Sequence, residues 1–404
     1  MGFAVMPSSQ ATVAYVFKRR YSNKQVTDVS MRDHVTYMNI AKTKALGGQD
    51  FVYGLTTGNP QGVANNYANS VTAEETLKGA QFVCTDVQKY GYIVIDGPSM
   101  LRLEANQGKL IDMVTRTTDG VLKTLGDDIA FDLMRSGTGN RGKIAAISTN
   151  TLTLTDQRDV DNFKRGMSLV ASVNSNGTSP RAGSCKVTKL NRAAKQITVD
   201  NAAGITGLAV NDFLFRFGAN TNSIDGMGAC TPLVAPTSTL FRNVDRTDDI
   251  EALAGTRIDD VTRPVVEGIG DLAVQLSLIG KRIEVATVYP TAFQTIVKNL
   301  GAKVVYNSPG GQSKVGFQEI MIYAAGYAIP VRADADILPT ETRVWTHDAH
   351  ELAYLGDDVV HIIRDDGNTR LRTGTSDGFS VSARFVGNYL QQDTAAHGVG
   401  QFQP

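Results

Sequence analysis

The chain has 404 residues, with 40 basic and 40 acidic side chains, and 42% of its residues are hydrophobic. A chain of this length can bury a large core and is expected to divide into two or three domains. The balanced charge argues against a dedicated nucleic-acid binder, whose surface would carry a basic excess. Three widely separated cysteines, Cys84, Cys185 and Cys230, form no CxxC pair. This spacing predicts free thiols and excludes a disulfide framework or a zinc site.

The longest apolar run extends from Ile320 to Val331. It is interrupted by Gly326 and Pro330 and is about half as long as the roughly 20 residues of a membrane-spanning helix. The first residues lack the apolar centre of a signal peptide, and Met6 stands where a myristoylation signal requires Ser or Thr. The sequence therefore predicts no membrane segment.

Residues 1–48 show no sustained period and predict an extended arm, with a short helix near Arg32 to Leu46. One basic cluster with interleaved aromatic residues lies in this arm: Lys18, Arg19, Arg20 and Lys24. Such a cluster can neutralise DNA phosphates without reading bases, or it can form salt bridges with another chain. The sequence leaves both roles open.

Residues 49–75 are dominated by Gly, Asn, Thr and Ala, and they cannot bury enough apolar area to fold alone. They therefore predict a projecting loop. Two strand-like segments follow, Gln81 to Val87 and Tyr90 to Ile95, which are rich in β-branched and aromatic residues. Gly97-Pro98 then breaks the extended run.

A long helix is predicted from Glu104 to Met134 because apolar residues recur there at intervals of three, four and seven. These residues are Leu110, Val114, Val121, Leu125, Ile129 and Leu133. A helix of about 30 residues spans about 45 Å, so we expect its wide polar face to remain for solvent or neighbouring chains. The glycine-rich stretch from Ser136 to Gly139 ends the helix.

Residues 143–218 contain short alternating runs between Gly, Asn and Ser turns, which predicts a small all-β barrel. The runs are Thr151 to Thr155, Met167 to Val173, Cys185 to Leu190, Gln196 to Val199 and Phe213 to Phe217. Phe213, Phe215 and Phe217 alternate in the last run, so their rings are expected to share one face and to line the core.

From Asp248 onward strands alternate with helices, including a helix over Asp260 to Ile279, which predicts a mixed α/β domain. Gly280 to Gly301 predicts a strand, a helix that begins at a proline, and a glycine stop. Gly316 to Val331 predicts a pair of strands, and Arg370 to Phe402 predicts further strands.

The order of these elements resembles that of the major capsid proteins of tailed bacteriophages, which have the Hong Kong 97-like fold. The stretches that carry the resemblance are residues 81–142, 280–301, 316–331 and 370–402. It implies an α+β capsid fold with an N-terminal arm, an extended E-loop hairpin, a long spine helix, and peripheral and axial domains. The barrel would be an all-β insertion domain in that fold.

The resemblance implies the following division of the chain: arm, 1–48; E-loop hairpin, 49–97; spine helix of the peripheral domain, 98–142; β-barrel insertion domain, 143–218; axial domain, 219–355; peripheral return strands and a last axial strand, 356–404. In that family the E-loop lies over a neighbouring subunit and is ordered by it. We expect the segment 143–218 to fold as an isolated domain.

Two local patterns suggest enzymatic sites, and neither has the required context. Gly137 to Lys143 matches most of a phosphate-binding loop, but Ile144 replaces the Ser or Thr that would hold magnesium. The loop also follows a helix and enters a strand, the reverse of the required order. His347, His350 and Glu351 lie together, but the histidines are three residues apart rather than four, which favours surface histidines in a strand-turn-strand. We predict no catalytic, cofactor-binding or metal-ligating residue.

The resemblance thus implies a non-enzymatic major capsid protein that self-assembles into hexamers and pentamers of an icosahedral shell around phage double-stranded DNA. The resemblance implies a scaffolding protein, a portal and packaged DNA bound without sequence specificity as partners, and it admits decoration proteins. It also implies assembly in the host cytoplasm and residence in the virion. An encapsulin-like nanocompartment shell is the first alternative. A nucleotide-dependent enzyme that uses the loop from Gly137 to Lys143 is the second.

Some members of this family link their subunits by lysine-asparagine isopeptide bonds beside a buried glutamate. Here residues 49–75 contain no lysine, and Lys78 lies at the base of the loop. Asn388 is a candidate acceptor, but no glutamate follows Glu351. We therefore expect shells that are held together by non-covalent contacts.

Overall fold

The computed structural model describes residues 34–44, 48, 50–97, 107–300, 320–363, 371–372 and 378–403. Within these ranges the chain is a mixed α+β protein, whose strands form two six-stranded sheets, a closed barrel and a two-stranded hairpin. The helices are α1 Val35–Asn39, α2 Tyr67–Thr72, α3 Gln107–Leu133, α4 Met227–Cys230, α5 Ile250–Ala254, α6 Val265–Leu278 and α7 Pro290–Leu300.

One six-stranded sheet, here called the peripheral sheet, is organised around a single long strand. Its strands are β1 Ala41–Lys44, β4 Val87–Asp96, β16 His350–Tyr354, β17 His361–Ile362, β18 Leu371–Arg372 and β19 Gly378–Gln391. β19 pairs antiparallel with β4, β16, β17 and β18, and β1 adds parallel to β16. The short helix predicted near Arg32 to Leu46 therefore ends at Asn39, because the residues after it pair with β16 instead.

The long helix predicted from the sequence is confirmed as α3, which has 27 residues and a length of about 40 Å. It lies directly on β4, since a Cβ on Gly91 would come within 2.3 Å of Val121 Cγ1. Its last turns, including Ile129 and Leu133, are completely buried. The expectation of a solvated polar face is wrong for these turns, because Asp127 to Met134 are buried on every side.

The second six-stranded sheet, the axial sheet, has the order β11-β20-β15-β12-β14-β13. Its strands are β11 Thr256–Pro264, β12 Val285–Val288, β13 Ile320–Ala324, β14 Tyr327–Ala333, β15 Glu341–Trp345 and β20 Gly398–Gln403. Helices α6 and α7 cover one face of the sheet and share a core with it that includes Ile269, Leu272 and Val331.

The proline-started helix and the strand pair of this sheet are confirmed as α7 and as β13 with β14. Ala325 and Gly326 both have positive φ, which suits the two-residue turn that joins β13 to β14. The helix predicted from Asp260 begins only at Val265, because Pro264 is its extended N-cap and the preceding residues pair with β20.

The barrel consists of six short strands that close on themselves in the order β10-β5-β6-β9-β8-β7. They are β5 Asn140–Ser148, β6 Thr151–Leu154, β7 Ser168–Ser172, β8 Cys185–Asn191, β9 Gln196–Val199 and β10 Phe213–Arg216. The short strands expected in this segment are confirmed, and they enclose a separate core that includes Ile144, Leu152 and Ile197. That the segment is an insertion domain with its own stability stays a prediction.

The predicted use of the three phenylalanines is wrong. Leu214, not its aromatic neighbours, belongs to the barrel core. Phe215 is buried, Phe213 is half-buried and Phe217 is 63% exposed. β10 keeps a regular register with β7, so Leu214 faces the barrel interior while Phe213 and Phe215 lie on the other side of the strand.

Candidate functional site

The two-stranded hairpin projects its tip away from both sheets. Its strands are β2 Asp50–Gly58 and β3 Lys78–Thr85, which pair antiparallel from Asp50 opposite Thr85 to Gly58 opposite Lys78. The strand predicted at Tyr90 to Ile95 is β4, which pairs with β19 instead. Residues 59–77 form the connection between the strands, here called the tip, and they include the short helix α2.

The base of the hairpin packs against the body of the protein. Phe82 is 1% exposed and lies in a small apolar cluster with Val244 and Leu253. The rings of Tyr53 and Phe82 stack across the two strands with their centroids 5.2 Å apart. Aromatic pairs of this kind stabilise neighbouring strands by about 0.5–1.5 kcal/mol beyond the area they bury. The base therefore has a core, even though the loop was predicted to have little.

Arg242 fastens this base to the peripheral sheet. Its buried guanidinium donates hydrogen bonds to the Tyr53 hydroxyl at 3.1 Å, to the Tyr389 carbonyl at 2.8 Å and to the Asp225 carbonyl at 3.3 Å. Arg242 and Asn243 both have positive φ, which turns the chain sharply at this point. The Arg242 carbonyl in turn accepts a hydrogen bond from the Val83 amide. Arg242 thus holds the base of the hairpin against β19 and against the segment that precedes α4.

The tip differs from the base because its apolar side chains face solvent. Val63 is 85% exposed and Tyr67 is 86% exposed, and Val71 and Leu77 are also exposed. Helix α2 has no buried residue, and its fold depends on local bonds such as the cap from the Asn69 amide to Asn66. The tip therefore exposes several apolar side chains, a feature that proteins often have at contact surfaces.

A cluster of buried charges joins α3 to the peripheral sheet and to the barrel. Lys89 Nζ on β4 lies 2.6 Å from Asp128 and 2.5 Å from Asp132, which are one helical turn apart on α3. Two arginines from the barrel, Arg141 and Arg216, also pair with Asp128. The three structural units are therefore connected through one carboxylate.

The electrostatics of this cluster favour fixed charges over proton transfer. Burial would raise the pKa of Asp128, but Lys89, Arg141 and Arg216 outweigh it and hold that pKa below its ordinary value. Burial raises the pKa of Asp132, and the nearby Asp128 carboxylate adds to the rise. Burial opposes the charge on Lys89, yet the two carboxylates raise its pKa. The lysine therefore stays protonated, which suits a structural ion pair rather than a base or nucleophile.

The first described residue of the chain, His34, links the same helix to the axial sheet. Its ring nitrogens lie 2.7 Å from Asp127 Oδ1 on α3 and 2.5 Å from Asp336 Oδ2 in the loop after β14. Thr36 then donates both its amide and its hydroxyl to Asp334. Burial raises the pKa of Asp334, and the neighbouring Asp336 adds to the rise. His34 and Thr36 are thus hydrogen-bonded to the loop after β14, and His34 is also bonded to α3.

A cavity of about 580 Å³ lies where α3, the barrel and His34 meet. Its size is in the range of ligand sites. Its acidic side chains are nevertheless engaged in ion pairs: Asp127 with Lys164, Asp128 with two arginines, and Asp161 with Arg192. We interpret the cavity as the polar junction of three units.

The glycine loop from Gly137 to Lys143 does not form a phosphate cradle. It follows α3 and enters β5, as the sequence predicted. A Cβ on Gly139 would lie 2.4 Å from the Ala219 carbonyl oxygen, so the loop packs tightly against the residues after the barrel. The Lys143 ammonium lies 5.5 Å from the centre of the Phe213 ring. The loop is a tight connection between helix and barrel.

The HDAHE segment is a strand-turn-strand, as predicted, with a short 3-10 turn over His347–Ala349. The expectation that its histidines lie on the surface is wrong for His350, which is only 2% exposed. Among the described residues there is no group of three or more histidine, cysteine, aspartate or glutamate side chains that could hold a metal ion. The predicted basic cluster at Lys18, Arg19, Arg20 and Lys24 lies outside the described residues.

Solved structures show where this fold occurs. The chain is similar to the capsid chain of the native GTA particle, with a TM-score of 0.52 and 9% identity over 99% of this chain and 100% of that chain. It is similar to the capsid chain of cyanophage A-1(L), with a TM-score of 0.52 and 9% identity over 95% of this chain and 96% of that chain. The chain therefore has a phage capsid fold. No family model and no curated protein matches the sequence.

The capsid fold also aligns with the holo-SrpI encapsulin of Synechococcus elongatus PCC 7942, with a TM-score of 0.46 and 6% identity over 96% of this chain and 94% of that chain. That score is too low to support a choice between kinds of shell. None of the helices in the described ranges is long and apolar enough to cross a membrane.

Sequence reasoning predicted the capsid fold but missed the buried charges. Asp128 and Asp132 are four residues apart and alternate with the apolar residues Ile129 and Leu133. Acidic residues on the apolar side of a helix are a signal for buried ion pairs, because an unpaired carboxylate there is costly. The identity of their partners could not have been read from the sequence, since Lys89 and Arg216 are distant along the chain.

Proposed function

We propose that this chain is the major shell subunit of a tailed-phage capsid, and that its work is assembly rather than catalysis. The observation that carries the proposal is the structural similarity to two capsid chains, which covers nearly the whole length of this chain and of each of those chains. The exposed tip supports it, because Val63 and Tyr67 would be an unfavourable apolar surface on an isolated protein. Hexamers and pentamers of the chain would close into an icosahedral shell.

Assembly would follow from how the hairpin is built. The base is fixed by Arg242 and Phe82, whereas the tip buries no side chain of α2 in its own chain. In this proposal the hairpin is the E-loop, and its tip gains a core only on a neighbouring subunit. Each contact would be weak alone, and the free energy would accumulate as many subunits close the shell.

The proposed shell would enclose double-stranded DNA and reside in the virion after assembly in the host cytoplasm. A scaffolding protein, a portal and decoration proteins are the partners that this role suggests. The basic cluster at Lys18, Arg19, Arg20 and Lys24 would either face the packaged DNA or pair with a neighbouring subunit. A DNA-facing cluster would bind without reading bases, so its affinity would fall with salt.

Electron microscopy of the expressed chain, alone and with its neighbouring genes, tests the proposal. Icosahedral particles with hexameric and pentameric units would support it, and a monomer under every condition would contradict it. Nuclease-protected DNA in particles made during infection would favour a phage head. Particles that enclose another protein and no genome would favour an encapsulin-like compartment. Nucleotide binding by the purified chain would instead favour a nucleotide-dependent enzyme that uses the loop from Gly137 to Lys143.

A further inference from the structure

Two connections between the axial and peripheral sheets run side by side. In the first, β15 ends at Trp345 and β16 begins at His350. In the second, β19 ends at Gln391 and β20 begins at Gly398. The Asp393 amide donates to the Ala349 carbonyl at 3.2 Å, so the two connections are bonded to each other. The angle between the two sheets therefore depends in part on these two bonded segments.

Each connection carries a buried histidine. His350 is 2% exposed and His397 is 3% exposed, and their ring centroids are 5.1 Å apart. Trp345 packs on the His350 ring at 4.8 Å, and Tyr389 lies 5.9 Å from the same ring. The His350 ring thus lies against three others, Trp345 at the end of β15, Tyr389 on β19 and His397 just before β20, and these four rings are here called the stack.

This stack suits neutral histidines, and the acceptor that it offers to a proton on His397 is the Ala349 carbonyl. Within the part of the chain that the structure describes, both ring nitrogens of His350 and Nε2 of His397 have no hydrogen-bond partner. The same holds for the Tyr389 hydroxyl and the Trp345 indole nitrogen. A buried charge without an acceptor is far more costly than a neutral ring.

The charged groups around the stack do not offer compensation. From β15, the buried Arg343 adds a positive charge, and it is paired with Glu341. From the 3-10 turn, His347 would repel a proton on His350. From the second connection, Asp393 is the carboxylate that favours a charge on His397, but it is only partly buried and pairs with Lys281 at 2.6 Å.

We propose that the paired connections form a single acid-sensitive hinge, in which the neutral rings of His350 and His397 lock the angle between the two sheets. A proton on either ring would place a charge inside the stack, and Arg343 would repel the charge on His397. Separation of the two connections, or entry of water, would relieve that charge. The hinge would open before the sheets themselves unfold, because each sheet keeps its own ladder of backbone hydrogen bonds.

The direction of the pH dependence follows from burial. Burial lowers the pKa of His397 from 6.5 to about 4, and Asp393 and the hydrogen bond to the Ala349 backbone only partly offset this. Burial, with His397 and His347, lowers the pKa of His350 well below 6.5. At a pH between the lowered pKa values of the closed hinge and the ordinary histidine pKa of 6.5, the opened state binds more protons than the closed state. The closed hinge is therefore fully favoured above pH 6.5 and loses stability as the pH falls toward 4.

The chain contains a natural reporter, because Trp345 is its single tryptophan and contacts His350. The full-length chain would be titrated from pH 8 to pH 3 while Trp345 fluorescence and far-ultraviolet circular dichroism are recorded together. The expected result is a fluorescence transition below pH 6.5 at which the circular dichroism has not changed. Hydrogen exchange, corrected for its intrinsic rate, should rise at residues 341–354 and 388–400 before it rises in the barrel.

The variant His350→Phe keeps a flat aromatic ring, although a larger one, and removes both titrating nitrogens. We expect it to move the fluorescence transition to lower pH by about one unit or more. His397→Gln is the second variant, and His361→Gln, at a half-buried histidine on β17, is the control that should leave the transition in place. Wild-type fluorescence that changes only together with global unfolding would overturn the hinge. So would an unshifted transition in both His350→Phe and His397→Gln. The test does not depend on whether the chain forms shells.

Discussion

The barrel and the hairpin tip both lie outside the two sheets, but only the barrel has a hydrophobic core of its own. The barrel closes six strands around apolar residues such as Leu152, Ile197 and Leu214, each of which is fully buried. The tip, residues 59–77, leaves Val63 and Tyr67 in solvent. An excursion with a closed core is stable within its own chain. One without a core needs another molecule, and in the proposed shell that molecule is a second copy.

The largest effect is expected from removal of the tip alone. Because Gly58 and Lys78 are register partners, residues 59–77 can be replaced by an Asn-Gly turn that keeps the hairpin base intact. We expect the shortened chain to fold, because Phe82 and Tyr53 keep their contacts, and to form no shells. Circular dichroism would measure folding, and light scattering with electron microscopy would measure assembly.

Two single substitutions at similarly exposed apolar residues complement this deletion, one in the tip and one outside it as a control. Tyr67→Ser in the tip should impair assembly, whereas Val234→Ser, at a residue that is 80% exposed outside the tip, should not. Loss of folding in the shortened chain would mean that the tip contributes to the core of its own chain. Normal shells without the tip would remove it from the assembly mechanism.

The second expectation concerns the independence of the barrel. A fragment of residues 138–218 should fold alone and give dispersed amide resonances, because its core is separate from those of the sheets. A fragment that begins at Lys143 would lose Asn140 and Gly142, which pair with β10. It should therefore melt at a lower temperature than the longer one. A disordered spectrum from both fragments would contradict the independence of the barrel.

The third expectation concerns the carboxylate that ties the barrel to α3. Asp128→Asn would leave Lys89 and Arg141 buried with too little negative charge, and removal of one partner from a buried ion pair costs about 3–5 kcal/mol. Urea unfolding would measure this loss. Asp119→Asn, at an exposed position of the same helix, should change the free energy of unfolding by less than about 0.5 kcal/mol. Equal effects at both positions would show that the cluster is not a stabilising junction.

The last expectation is that the subunits form no covalent links with one another. Asn388 is buried, and its side chain donates to the Thr85 carbonyl and accepts from the Tyr389 amide. Lys78 is exposed and paired with Glu75. Boiled particles should therefore run as one band near 43.4 kDa on a reducing gel. A ladder of larger species would show that another lysine reacts.

The sequence predicted the elements that have a strong local period. The long helix, the short barrel strands and the helix that begins at Pro290 are confirmed within a few residues, because spacing and turn residues determine them locally. The hairpin was only partly predicted. β4 looked like one of its strands, but its partner β19 lies nearly 290 residues further along the chain, and sequence spacing does not reveal such pairings.

Side-chain roles were predicted less well than elements. Leu214 faces the barrel interior and its phenylalanine neighbours do not, and the alternation of the sequence does not reveal which side of a strand is the inner one. The burial of His350 depends on Trp345, Tyr389 and His397, which come from three separate strands or turns. The buried position of Asp128 was missed, because Lys89 and Arg216, two of its three cationic partners, are distant in sequence.

The place of β19 and β20 in the two sheets has a consequence for protein synthesis. β19 is the strand on which β4, β16, β17 and β18 all pair, and β20 is inserted between β11 and β15. Both are translated after every other described strand. A nascent chain on the ribosome therefore lacks the strand that organises the peripheral sheet and the strand that joins β11 to the axial sheet, and it cannot present a finished docking surface to its neighbours. Polysomes crowd many such chains together, and late completion of the sheets would keep them from associating prematurely.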